Sequence, residues 1–138
     1  MALHDAIKTA VNWRAASVDA EDSLRTVIQK MVDSKVSALV VKSGGSIIGV
    51  ITDMDLMRSV VQKRDLDSEK AAAFMTVCEI ITAQGSKKTP CVQLDETESV
   101  ENALMIMDTA GVHNLLVDGE NQQAGMVSIR DLLRFVVS

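Results

Sequence analysis

Aromatic side chains are nearly missing from this chain: among 138 residues there are two Phe, one Trp and no Tyr. Proteins that hold single-stranded nucleic acid stack its bases on aromatic rings, so that class is excluded. Basic residues are also scarce, 14 against 19 acidic, and the net charge of -5 disfavours any nucleic acid polymer as partner. Two cysteines, Cys78 and Cys91, form no CxxC and have no histidine close in sequence, which argues against a disulfide framework and a zinc site; reduced thiols are expected. No apolar run approaches the roughly 20 residues of a membrane span. The opening MALHDAIKTAV carries an Asp and lacks a cleavable-signal pattern, so the expected address is cytoplasmic, away from any membrane. With only two histidines, and no nucleophile beside a base, an enzyme is not expected. What the chain does hold is 47% apolar residues, enough for a packed core and too many for a disordered tail.

A duplication organises that content. The 44 residues from Val18 align without a gap on those from Leu94, at a constant offset of 76. About a dozen positions are identical, including Asp19/Asp95, Leu39/Leu115, Val41/Val117, Gly49/Gly125, Asp55/Asp131, Leu56/Leu132 and Arg58/Arg134. A unit of roughly 60 residues buries only about 60% of its surface and is marginal alone, so the copies are expected to pack as one pseudo-twofold body. The expected division is repeat 1 over 1–62, a connector over 63–76 and repeat 2 over 77–138.

Periodicity supplies the elements. Asp19 with Asp22, and Asp95 with Glu98, have the spacing of a helix cap and its third residue, and Leu24, Val27, Ile28, Met31 and Val32 follow an amphipathic stripe. Val100, Ala103, Leu104 and Met107 repeat the stripe, stopped by Gly111. Val36 to Val41 and Ile47 to Ile51 read as a hairpin turning at Ser43-Gly44-Gly45, matched by a turn at Asp118-Gly119-Glu120-Asn121. Final helices over Met54 to Val61 and Arg130 to Val137, and short strands near Ala15 to Val18 and Cys91 to Leu94, complete an α/β fold of two β-α-β-β-α repeats. The charged stretch between the copies reads as a connector with one helix around Ser68 to Met75.

At the second strand-to-helix junction the copies read Gly49-Val-Ile-Thr52-Asp-Met-Asp55 and Gly125-Met-Val-Ser128-Ile-Arg-Asp131. A hydroxyl followed three residues later by a carboxylate is a capping box. The same pattern also offers an anion the helix's free N–H groups, and offers a vicinal diol a carboxylate. The preceding glycine is expected to let a flat ligand approach the strand backbone. Asp53 with Asp55 is read as solvated helix-start charge, with no metal site expected. Arg58 and Arg134 are read as ion pairs with the Asp three residues earlier, in preference to phosphate contacts.

These motifs, the repeat and the element order resemble a tandem pair of cystathionine beta-synthase (CBS) domains, often called a Bateman module. The resemblance covers nearly the whole chain and is most specific at VSALVV...GVITDMDLMRSV and VHNLLV...GMVSIRDLLRFV. It implies a regulatory module, with no cofactor required, binding an adenosine-containing ligand (AMP, ADP, ATP or S-adenosylmethionine) in clefts between the two repeats. The motif Asp takes the ribose hydroxyls. Carried onto this sequence, one cleft would use Asp131, Ser128, Arg130, Met126, His113 and Asn114 with Arg14 and Ala16; the other would use Asp55, Thr52 and Ser37 with Pro90 and Val92. Adenine would pack on 88–92 in the second cleft and on 12–16 in the first, where Trp13 could stack on the purine or serve the core or a dimer contact. His113 and Arg130 favour the Asp131 cleft for a phosphate-bearing nucleotide. Met105 and Ile106, with Leu133, Phe135 and Val137, suggest a homodimer face, as paired modules of this family commonly use. A regulated protein partner is left unidentified, and a ligand-free dimerisation or docking module is the alternative.

Overall fold

The computed structural model describes residues 3–76, 78–82, 85–89, 93–119 and 124–137. They form two compact units, one of Ala16–Cys91 and one joining Met1–Ala15 to Val92–Ser138. They are called here the repeat-1 unit and the repeat-2 unit.

In the repeat-1 unit, β1 (Ser17–Asp19) runs parallel to β2 (Ala38–Ser43), and β2 pairs antiparallel with β3 (Ser46–Thr52). α1 (Leu24–Ser34) makes the crossover between the parallel strands, and α2 (Asp53–Val61) follows β3 directly. Gly44 and Gly45 turn the hairpin with φ of +57° and +85°, the two positive values that a two-residue turn of matching twist demands. Leu24, Val27, Leu39, Val41, Ile51 and Leu56 form the core. Within the connector, the short helix α3 (Ala71–Phe74) seals that core with Ala71 and Phe74. A further element, past the expected connector, was not foreseen: β4 (Cys78–Thr82) and β5 (Gly85–Thr89) form an antiparallel hairpin.

The repeat-2 unit repeats the sheet with β6 (Gln93–Asp95), β7 (Asn114–Asp118) and β8 (Ala124–Ser128), carrying α4 (Val100–Ala110) and α5 (Ile129–Val136). A 3-10 turn at Ile7–Ala10 takes the place of α3, with Ile7 fully buried among Val100, Ala103, Leu115 and Leu132. Part of the predicted 118–121 turn lies outside the described residues.

Several expectations are corrected. The first helices are capped by Ser23 and Ser99, whose hydroxyls accept from the N–H groups of Thr26 and Asn102, not by Asp19 and Asp95. Those aspartates instead hold the turn before the helix: Asp19 accepts from Glu21 N–H and Asp95 from Thr97 N–H, each at 2.9 Å. Ser23 and Ser99 are one of the identical pairs across the copies, so the signal was present in the sequence. Val32 is exposed, because it lies at the edge of a stripe whose buried positions are Leu24, Val27 and Met31. Ile106 and Phe135 pack on the repeat-2 core, leaving Met105 of α4, Leu133 of α5 and Val137 just after α5 as exposed large apolar residues. Arg58 and Arg134 make no ion pair with Asp55 or Asp131 among the described residues; the pairs found there join Arg25 to Asp67 and Arg64 to Glu69, with His4 3.8 Å from Glu101. No helix among the described residues is long and apolar enough to cross a membrane.

Both first helices end in a left-handed residue, Lys35 at φ +55° and Gly111 at φ +67°. Only glycine adopts that conformation without steric cost. Lys35→Gly is therefore expected to raise stability by up to about 1 kcal/mol in urea unfolding, and Gly111→Ala to lower it by a similar amount. Hydrogen bonds from the Thr97 N–H and hydroxyl hold the Asp95 carboxyl below the usual carboxylate range. A depressed pKa contributes stability above about pH 4 that is lost as pH falls through the lower folded value. The gap in melting temperature between wild type and Asp95→Ala should therefore be widest at neutral pH and shrink below about pH 4.

Candidate functional site

Each unit receives a strip of chain that does not belong to its repeat. In the repeat-2 unit the strip is 3–13. Carbonyls of Asp5 and Leu3 accept the N–H groups of Val100 and Glu101 (2.9 Å each), and Asn12 exchanges two backbone hydrogen bonds with Met126 (2.8 and 3.1 Å). In the repeat-1 unit the strip is 66–76. There Glu69 and Leu66 carbonyls accept from Leu24 and Arg25 (2.9 Å each), and Thr76 exchanges two bonds with Val50 (2.8 and 3.2 Å). The first three N–H groups of α1 and of α4, which have no partner within the helix, are thus satisfied, two by the strip and one by the hydroxyl of the capping serine. The strip also lines the open edge of β3 or β8 beside the motif glycine. A Cβ at Gly49 would lie 2.6 Å from the Met75 sulfur and 3.1 Å from the Thr76 carbonyl. One at Gly125 would overlap Val11 and lie 2.9 Å from both the Asn12 carbonyl and the Trp13 ring. The space kept open by these glycines is filled by the protein's own chain, which corrects the expectation that they admit a ligand.

The junctions at α2 and α5 carry the predicted residues. Thr52 and Asp55 form a complete capping box, as do Ser128 and Asp131. Ser37 and His113 contribute backbone here: their carbonyls accept from the first N–H of the following helix, Asp53 and Ile129, at 3.0 Å. The side chains of both are exposed. Asn114 stands opposite Ser128 in the β7–β8 ladder, where repeat 1 has Ala38 opposite Thr52. Asn114 is half-buried, and its amide has no hydrogen-bond partner among the described residues. Arg130 is exposed in the first turn of α5.

The two carboxylates differ in what already touches them. Oδ2 of Asp55 accepts from the Thr52 N–H (2.9 Å) and the Thr52 hydroxyl (3.2 Å). The Thr76 hydroxyl lies 3.3 Å from Oδ2 and 3.5 Å from Oδ1. Oδ2 of Asp131 accepts from the Ser128 N–H at 3.1 Å, and Oδ1 has no partner among the described residues. The second N–H of each helix differs in the same direction. That of Met54 is taken by the Asp53 carboxylate at 2.8 Å, whereas Ile129 stands at the position of Asp53 in α5 and the Arg130 N–H has no partner among the described residues.

The other predicted residues are placed as follows. Met126 is buried, with its backbone N–H and carbonyl both bonded to Asn12. Arg14 is exposed, and its N–H donates to the Asn12 side chain at 3.0 Å. Ala16 belongs to the repeat-1 unit, where it packs on the core and its carbonyl accepts from Val40 N–H. Pro90 and Val92 lie outside the described residues. Trp13 packs on the repeat-2 core while its indole N–H donates to the Lys8 carbonyl at 3.2 Å. Thr76 was missed, because it sits outside both aligned copies and no spacing within the connector marks it.

A family model described as "CBS domain" matches residues 7–62 and 87–138. The CBS domain-containing protein CBSX3, mitochondrial, of Arabidopsis thaliana is 27% identical over 130 residues, 91% of this chain; the chain spans only 57% of that relative's length. Among solved structures, an uncharacterized conserved protein from Pyrococcus horikoshii superposes with a TM-score of 0.81 at 19% identity, covering 100% of this chain and 96% of the other. The CBS domain pair of protein MJ0100, solved in complex with 5'-methylthioadenosine and S-adenosyl-L-methionine, gives 0.76 at 15% identity, covering 95% and 98%. At these identities the two structures speak for the fold.

The glycine geometry is testable. Gly125→Ala is expected to cost about 1–3 kcal/mol in urea unfolding, because the Asn12 backbone must move, and to speed amide exchange at Asn12 and Met126. Gly49→Ala should cost less, since the flexible Met75 side chain can yield.

Proposed function

The chain belongs to the CBS-domain family, and we propose that it is a regulatory module that senses an adenosine-containing ligand, AMP, ADP, ATP or S-adenosylmethionine, at the Asp131 junction of its repeat-2 unit. The observation that carries this reading is that, at the start of α5, neither Oδ1 of the half-buried Asp131 carboxylate nor the Arg130 N–H has a partner among the described residues. A carboxylate can accept the two hydroxyls of a vicinal diol through its oxygens. Helix N–H groups with an arginine in the first turn suit an anionic group next to it. Ser128 and Asn114 supply further polar groups, and His113 stands where it can donate to a phosphate when protonated.

No reacting group is required of such a site. A ligand that binds one conformation better than another shifts the population toward it, with typical couplings of about 1–3 kcal/mol between the ligand site and whatever reads it. The exposed Met54, Met57 and Val61 of α2, with Leu133 of α5 and Val137 just after it, favour a second reading in which the module serves assembly or docking of a partner without a ligand. The two readings part in solution: the docking reading expects no thermal shift with any adenosyl compound and a persistent oligomer.

Asp131→Ala is expected to weaken binding of AMP, ATP or S-adenosylmethionine about ten- to a hundredfold in calorimetry, since hydrogen bonds to a charged group are worth about 1.5–3 kcal/mol. Unchanged affinity in a folded variant would refute the site.

A further inference from the structure

We infer that the chain binds one adenosine ligand, not two, because the repeat-1 junction is closed by the protein's own Thr76 and Asp53. This inference rests on the reading above and adds to it the stoichiometry and the residues that set it.

The two groups that carry the reading at α5, the motif carboxylate and the second N–H of the helix, are already engaged at α2. The hydroxyl of Thr76 lies within 3.3 and 3.5 Å of the two Asp55 oxygens, the place a diol hydroxyl would take at this carboxylate. It is held there from both sides. Its backbone is fixed to Val50 by a reciprocal pair of hydrogen bonds, and its branched Cβ restricts rotation about χ1. The Asp53 carboxylate meanwhile sits on the Met54 N–H, at the point of α2 where an anion would otherwise be met, and brings a negative charge that repels one.

Residues at the matching places of the repeat-2 unit undo both closures. Asn12 occupies the position of Thr76: each exchanges two backbone bonds with the strand residue after the motif glycine, Met126 or Val50. The Asn12 side chain turns back to its own segment and accepts from the Arg14 N–H, leaving Asp131 untouched. Ile129 replaces Asp53, so the next N–H stays unpaired among the described residues. Two independent substitutions at one junction therefore act in the same direction.

Calorimetric titration of the intact chain with AMP, ATP and S-adenosylmethionine in turn decides the matter. Wild type is expected to bind one equivalent of the preferred compound. Asp53→Ala/Thr76→Ala is expected to bind two, the added equivalent being lost on further Asp55→Ala substitution. The reciprocal Asn12→Thr is expected to weaken the original site at least tenfold, and Thr76→Ala alone serves if the double variant does not fold. Two equivalents in wild type, or one in both the opened variants with full affinity in Asn12→Thr, would overturn the closure and leave the sensing proposal standing. Binding to neither wild type nor any variant would overturn the sensing proposal itself.

Discussion

The backbone N–H groups at the start of a helix must find acceptors, and in this protein the acceptors for α1 and α4 come from chain outside the repeat. Leu66 and Glu69 serve α1, and Leu3 and Asp5 serve α4. Much else follows from that requirement. To reach the helix start, the strip must cross the unit, and its far end then lies along the sheet edge, where Thr76 pairs with Val50 and Asn12 with Met126. That pairing covers an edge strand that would otherwise expose unpaired backbone. It also brings the strip close enough to the sheet that residues 49 and 125 have room for no side chain. One hydrogen-bonding need thus accounts for the covered edge, the glycines and the residue that faces the Asp55 carboxylate.

The two repeats keep that framework and differ in what they hang on it. Capping boxes, carbonyl acceptors at Ser37 and His113, and motif glycines are common to both. At the junctions the copies diverge in side chains that are not part of the capping box: Asp53 against Ile129, Thr76 against Asn12, Ala38 against Asn114. A duplicated unit can change its exposed polar groups freely while its capping and packing stay fixed, because the former contribute little to folding and the latter a great deal.

Much of this was legible in the residues. The repeat is gapless, and apolar periodicity distinguished helix from strand wherever a stripe was long enough, so the sheets, the four principal helices and the glycine turn were readable. The capping boxes were readable too, since Thr52/Asp55 and Ser128/Asp131 show the spacing directly. What escaped depends on contacts distant in sequence. The role of residues 3–13 and 66–76 shows no common pattern, because a strip that donates carbonyls needs no particular side chains. Thr76 opposite Asp55 is a tertiary contact across 21 residues with no motif to announce it. The glycines were read for the right property, close approach, but not for what approaches. The cap was misplaced by four residues because Asp19 and Asp95 also carry local hydrogen bonds, and spacing alone does not separate a turn from a cap.

The origin of the two strips also bears on the order of folding. In the repeat-1 unit, Val50 meets Thr76 after a span of roughly 26 residues, so the unit closes on a contiguous stretch of chain. In the repeat-2 unit, Asn12 meets Met126 across roughly 114 residues, about two doublings of loop length. Closing the longer loop costs about 1.2 kcal/mol more in chain entropy. Residues 3–13 are therefore made long before the strand they complete and are among the last to reach their place. On a ribosome the repeat-1 unit has all of its chain well before Met126 is synthesised, while the apolar face of Ile7 and Val11 waits for a core that does not yet exist.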